Sequence, residues 1–359
     1  MSHFCLLRDP QQYVAHDWDL LLDRADRERW LELFQNHFAE TMKHAATQYG
    51  RKSGKQTVAA QEEFFKAIAD LRANPHGLAN GKLNIMELCR LREGVLRRHG
   101  LNDPFGYIKD RENRSAIQLY EPAVRACHAM DAEAKWLHLI KSVFAGNVFD
   151  LGALQTMNYA NESPDFLEMV ENTRPRPWLV DDYDRLAADL TPAPPTKWSK
   201  TVVFVDNAGT DFILGVMPLA RELALCGTKI VLAANELPSL NDITADETVA
   251  VMRQLAEGDE DLAALIAAEM FEVVSTGNDV PLIDLSEVSD ELNEAADGAE
   301  LVVLVGMGRA VESNFDAAFA ADALKLALLK DPSVAKRVGG EVYDCVCRYE
   351  PLPDRTGEA

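Results

Sequence analysis

From residue 200 onward the chain repeats one texture: a short run of β-branched and apolar residues, a polar turn, then a stretch with helical spacing. The runs are TVVFV at 201–205, KIVLA at 229–233, FEVVS at 271–275, LVVLV at 301–305 and VYDCVCRY at 342–349. Runs this short and this continuously apolar suit strands covered on both faces. The stretches between them, such as 219–226 and 244–255, read as crossover helices. A strand–helix–strand series with right-handed crossovers gives a largely parallel sheet sandwiched by helices. The expected fold class is therefore α/β and Rossmann-like.

Residues 16–170 read differently. Apolar positions recur there at three and four, with Trp30, Phe34 and Phe38 in one stripe and Phe64, Ile68 and Leu71 in another, which is the period of helices with a buried face. Such stripes are read as plain core. Between 174 and 195 lie five prolines, in RPRPW and TPAPP, and proline removes a backbone donor and disfavours helix before it. The expected organisation is a mostly helical N-terminal domain over 1–180 and a Rossmann-like α/β domain over 200–359. The 359 residues suffice for both.

Charge narrows the function. The 36 Lys plus Arg against 58 Asp plus Glu give a formal charge of -22, which disfavours a nucleic-acid partner, since phosphate-backbone binding relies on clustered cations. An anionic small substrate is repelled by the same field, so a site for one must supply its own positive charge. The six cysteines form no CxxC pair, and the opening MSHFCLLRDP is not a basic-then-apolar leader, so a cytoplasmic, reducing compartment is expected. No apolar run approaches the roughly 18 to 20 residues a membrane span needs, and no membrane partner is expected. A homo-oligomer is left open.

In an open parallel sheet, ligands gather beyond the carboxyl ends of the strands, and here those ends are polar. Asp206, Asn207, Gly209 and Asp211 follow the first run, Asn235, Asn241 and Asp242 the second, and Gly306, Met307, Gly308 and Arg309 the fourth. Asp206 and Asp242 are 36 residues apart, about one strand–helix–strand unit, so they can meet on neighbouring strand ends. With the amide oxygen of Asn207 they make an all-oxygen set suited to a hard cation such as Mg²⁺ or Mn²⁺. Taken singly, each Asp could equally cap a helix. The GMGR turn could bring bare amides and a guanidinium fork to a phosphate, although glycine turns also serve any tight bend. There is no GxGxxG, no GxxxxGK[ST] and no GxSxG, which leaves dinucleotide, P-loop and serine-hydrolase chemistry without support. Cys345 and Cys347 alternate along one run and read as same-face packing.

The segments VDNAGTDFILGVMPLARELALCGTKIVLAANELPSLNDIT, GMGRAVESN and LKLALLKDPSVAKRVGGEVYDCVCRYE resemble the damage-control phosphatases, once called Domain of Unknown Function 89, and within them the subfamily that includes the C-terminal domain of pantothenate kinase 4 and stand-alone plant homologues. LIKSVFAGNVFDLGA at 139–153 resembles that family's AGN-containing helix. The resemblance implies a divalent metal, Mn²⁺ or else Co²⁺, Ni²⁺ or Mg²⁺, on Asp206, Asn207 and Asp242. It implies substrate contact by Asp211, a phosphate cradle of Gly306, Met307, Gly308 and Arg309, and a charge clamp completed by a lysine in a late helix, Lys330 in preference to Lys325. Asn147 is a further candidate, with bonding to a neighbouring backbone as the alternative. Val305 stands where the family signature EGMGR has glutamate; Glu312, one helical turn on, is the residue that could replace it.

The implied activity is metal-dependent hydrolysis of phosphate monoesters of small metabolites: phosphopantetheine-like compounds, damaged or oxidised phosphometabolites, or sugar phosphates. In that scheme the cation activates water while Arg309, Lys330 and backbone amides take the developing charge. Attack by Asp206 itself stays open beside attack by water. Two other classes stand as alternatives, a non-catalytic phosphometabolite-binding or regulatory protein and a carboxyl methyltransferase; the acidic DNAG turn suits a nucleoside cofactor poorly.

Overall fold

The computed structural model describes residues 1–16, 18–78, 80–148, 166–191 and 197–352. The strands are β1 (Val180–Asp181), β2 (Lys200–Phe204), β3 (Lys229–Ala234), β4 (Phe271–Ser275), β5 (Leu301–Val305), β6 (Asp322–Leu328) and β7 (Cys345–Glu350). They form a seven-stranded sheet in the order β1-β7-β6-β5-β2-β3-β4. All neighbours pair in parallel except β6 with β7, so the largely parallel α/β fold is what the chain adopts.

The helices of the first half are α1 (Arg24–Tyr49), α2 (Gly54–Ala73), α3 (Ile85–Arg98), α4 (Gly106–His128), α5 (Ala132–Gly146), α6 (Phe166–Glu171) and α7 (Tyr183–Leu190). In the second half lie α8 (Met217–Leu225), α9 (Ala245–Gly258), α10 (Glu260–Ala267), α11 (Asp290–Ala296) and α12 (Pro332–Arg337). Successive side chains of a strand point to opposite faces, and β2 shows it. Val203 packs into a core shared with α4, α5, α8 and α9, whereas Val202 and Phe204 pack into another with Phe4, Leu7, α11 and α12. Cys345 and Cys347 belong to the first core and Val346 to the second. A third cluster joins α1, α2 and α3 to Val280 and Leu282, and Phe38 stacks on Phe64 at 4.2 Å within it. Among the described residues no helix is long and apolar enough to cross a membrane.

One element departs from expectation. LKLALLKDP was read as a late helix carrying Lys330, yet residues 322–328 are β6, buried at every position. Leu, Ala and Lys favour helix in isolation, but a continuous apolar run cannot be told from a buried strand by period alone, and here β5 and β7 flank it. Lys330 therefore sits in the turn between β6 and α12. The AGN segment ends α5 with Asn147 as its C-cap; its remainder, 149–153, and prolines 192, 194 and 195 lie outside the described residues.

Strand order sets the position of the site. From β2 the chain steps outward to β3 and β4, then returns to place β5 on the other side of β2. Loops leaving β2 and β5 thus diverge, opening a crevice where their ends adjoin.

Candidate active site

The loops after β2 and β3 are tied together by backbone. Ala208 N donates to Asn241 O at 2.9 Å and Ile243 N donates to Asp206 O at 3.0 Å, an isolated bridge in which Asn207 opposes Asp242. This pairing places the two aspartates side by side. Neither caps a helix, since α9 is capped by Thr244. The loops after β2 and β5 each enter a widened turn: Phe212 N reaches back five residues to Asn207 O, and Ser313 N to Gly308 O. Such π-type turns recur at functional sites.

At the end of β5, Gly306 has φ +93° and its Cα lies so close to Asp206 that a Cβ would overlap the carboxylate; only glycine allows this approach. Gly146, at the end of α5, also lies close to the backbone of Thr210 and Asp211, where a Cβ would come within 2.9 Å of Thr210 O, which brings Asn147 to the loop.

Asp206, Asn207, Asp211, Asp242, Asn147, Arg309 and Lys330 meet in one buried hydrogen-bonded cluster. Asp206 Oδ2 accepts from Asn147 Nδ2 at 3.0 Å and Asn207 Nδ2 at 2.9 Å. Asp211 Oδ2 accepts from Asn147 Nδ2 at 2.6 Å and from both nitrogens of Asn207 at 3.1 and 2.9 Å. Asn207 so gives its amide nitrogen to both carboxylates, and its amide oxygen, the atom expected to meet a cation, takes no part in these contacts. Arg309 bridges the aspartates, with one nitrogen on Asp206 Oδ1 and the other on Asp242 Oδ2 at 2.8 Å, and it also donates to Asn235 Oδ1 at 3.0 Å. The residue is 1% exposed; burial works against its charge, and Asp242 and Asp206 outweigh this, raising its pKa. The fork expected on a phosphate is thus engaged by carboxylates. Lys330, equally buried at 1%, donates from Nζ to Asn147 O at 3.0 Å. Lys325 points elsewhere, to Phe315 O, Ala317 O and Glu350.

Asp211 is fully enclosed, and burial followed by repulsion from Asp206 pushes its carboxyl up to about 7 against the pull of Lys330 and the two asparagines. The cluster holds three carboxylates against two cations, an imbalance that is expensive away from water. Among the described residues, two of its buried oxygens, Asn147 Oδ1 and Asp211 Oδ1, have no hydrogen-bond partner. Among the described residues no three His, Cys, Asp or Glu side chains gather closely enough to hold a metal unaided, so a cation here would also draw on amide oxygen. Surplus negative charge, unpartnered oxygens and an all-oxygen donor set fit a hard divalent ion.

Above the cluster lies a cavity of about 270 Å³. Its floor includes Asp206, Asn207, Asp242, Met307, Gly308 and Lys330, and Glu312 lines its side, while Val305 is buried in the core beneath. A further part of its lining comes from the first half of the chain: Trp30, Leu33, Phe34 and His37 of α1, and Ile85, Cys89 and Arg92 of α3. Trp30 and Phe34, read from sequence as plain core, thus line the cavity. Their spacing marks a buried face without saying what covers it. Asn235, which hydrogen-bonds Asp242 at 2.9 Å, was visible only as a polar residue at a strand end.

Residues 25–346 match the family model described as the damage-control phosphatase ARMT1-like domain. The protein named damage-control phosphatase At2g17340, from Arabidopsis thaliana, is 39% identical over 90% of this chain and 88% of its own length. Pantothenate kinase 2 of the same plant is 38% identical, and the 4'-phosphopantetheine phosphatase of Mus musculus 29% identical; the chain matches 42% and 48% of their lengths. The crystal structure of a DUF89 family protein from Pyrococcus horikoshii has the same fold, with a TM-score of 0.62 at 18% identity, over 90% of this chain and 98% of that one. This chain belongs to the damage-control phosphatase family, in the subfamily that includes the C-terminal domain of pantothenate kinase 4.

Proposed function

We propose that the protein hydrolyses phosphate monoesters of small metabolites with a divalent cation held by Asp206, Asn207 and Asp242, in the service of metabolite repair. The observation that carries this is the meeting of Asp206 and Asp242, from two strand ends, on the floor of one cavity. When bound, the cation supplies Lewis-acid polarisation of a phosphoryl oxygen. The chain does the rest. Lys330 offers a preorganised positive charge at the cavity floor, worth more there than in water. Asp211 Oδ1, without a hydrogen-bond partner among the described residues, holds or releases a proton near neutral pH. Arg309 clamps Asp206 and Asp242 in register. The substrate class follows relatives named damage-control phosphatase and 4'-phosphopantetheine phosphatase: phosphopantetheine-like esters, oxidised or damaged phosphometabolites, or sugar phosphates.

The test is hydrolysis of a generic phosphate ester across Mn²⁺, Co²⁺, Ni²⁺ and Mg²⁺, with Asp206→Ala beside the wild type. Activity that depends on metal and falls at least about 100-fold in the variant is expected, more than outer partners of a metal site cost. Turnover indifferent to both would end this reading. The bridging of both carboxylates by Arg309 favours a second one, a phosphometabolite-binding protein without turnover. Thermal protection by inorganic phosphate, with no hydrolysis under any of the four metals, would select it.

A further inference from the structure

The wall contributed by α1 and α3 is more than a cover. Trp30 is 5% and Arg92 4% exposed, both line the cavity that the carboxylates line, and among the described residues Trp30 Nε1 and one terminal nitrogen of Arg92 have no hydrogen-bond partner. A buried donor left without an acceptor is costly, more so when charged, so two on one wall are a standing cost that an acceptor in the cavity removes. Arg92 is otherwise held in place, with Nε on Glu93 at 2.8 Å and its guanidinium 5.7 Å from the centre of the Phe34 ring. Trp30 is fixed edge-on against Trp18 at 5.5 Å and under Arg29 at 4.3 Å. Rigid donors among Leu33, Phe34, Leu240 and Leu282 are the pattern of a small-molecule pocket, apolar with a few fixed polar groups that set orientation.

We infer that Arg92 and Trp30 are the specificity-determining residues of this site. They bind an acceptor oxygen, carbonyl or anionic, on the alcohol portion of the phosphate ester, while the apolar wall packs against its carbons. This rests on the phosphatase reading for the position of the phosphoryl group, which lies at the cation-binding carboxylates. The ligand is then a phosphate ester with an apolar chain and an oxygen acceptor away from phosphorus, and simple alkyl phosphates are poor substrates.

The experiment compares butyl phosphate with a chain of matched length ending in a carboxamide, using wild type, Trp30→Phe, Arg92→Gln and Arg92→Lys. Trp30→Phe keeps the ring and removes only the N–H, and it keeps the test decisive where Arg92→Gln unfolds by stranding Glu93. Wild type should favour the carboxamide ester in kcat/KM. Trp30→Phe and Arg92→Gln should cut that preference by about tenfold or more, through KM rather than kcat, and Arg92→Lys should restore part of it. Equal losses on both esters, or a matching rise in the inhibition constant of inorganic phosphate, would place these donors on the phosphoryl group and overturn the inference. So would an unchanged preference. If wild type hydrolyses neither ester, calorimetric binding of the carboxamide ester decides separately: binding weakened in Trp30→Phe upholds the wall while the phosphatase reading falls, and binding unaffected by Trp30→Phe removes both.

Discussion

Asp211 is the residue where the conflict between stability and chemistry is sharpest. Its folded-state pKa of about 7 lies above the roughly 3.9 of an unfolded aspartate, so the folded protein takes up a proton across that window. The stability this contributes is complete below the unfolded value and is lost as pH rises through about 7. Asp211→Asn removes the loss. In chelator-treated protein the variant should melt higher than wild type by at least about 2 °C near pH 7, with the gap closing toward pH 4, while its hydrolysis falls. A gap that widens on acidification would mean that the carboxylate is stabilised in the fold. Gly306 is constrained in a different way, by φ +93° and by contact with Asp206. Gly306→Ala should cost about 1–3 kcal/mol in backbone strain and lower kcat/KM at least about 100-fold, as displacements near 1 Å do. Denaturant melts and steady-state kinetics measure the two effects, and a variant as active as wild type would show that the loop has room.

At the scale of elements, the site hangs on how loops leave strands. The segment after β3 is held by α9, where Thr244 and Glu247 cap each other's backbone at 3.3 and 2.9 Å two residues beyond Asp242. Thr244→Ala should destabilise the protein by about 0.5–2 kcal/mol and weaken Mn²⁺ binding in a calorimetric titration, whereas Thr244→Ser keeps the cap and should match wild type. Equal losses in both would point to the methyl group instead. These elements were largely legible in sequence. The β-branched runs marked β2, β3, β4 and β5 within a residue or so, and a spacing of one strand–helix–strand unit placed Asp242 beside Asp206. β6 was not legible, because Leu, Ala and Lys in a run buried on both faces carry no period to separate strand from helix. The two-residue β1 is too short to leave any pattern. Nor could sequence show that Arg309 grips carboxylates or that Trp30 and Arg92 face the cavity. Those facts depend on contacts between segments far apart in the chain, whereas the turn chemistry of Gly306 and Asn207 is local.

The whole molecule carries a formal charge of -22, while the positive groups nearest the proposed chemistry, Arg309 and Lys330, are buried. The two fields respond differently to salt. Interactions through solvent are screened over about 10 Å at 0.1 M ionic strength and about 3 Å at 1 M, and buried charges are screened much less. The net acidic surface lowers the local concentration of a dianionic ester, and added salt relaxes that repulsion. The attraction exerted inside the cavity by Lys330, and by the cation of the proposed reaction, persists. KM for a dianionic ester should therefore fall as KCl is raised from about 0.02 to 0.5 M, by more than it falls for the same ester near pH 5, where the phosphate is a monoanion and the protein, near its isoelectric point, has lost most of its net negative charge. Kinetics at fixed metal concentration across that range make the measurement. A KM that climbs steadily with salt would show that local cations, not the acidic surface, govern the approach of the substrate, and that charge near the cavity mouth, such as Arg29 beside Asp331 at 3.5 Å, is arranged to draw it in.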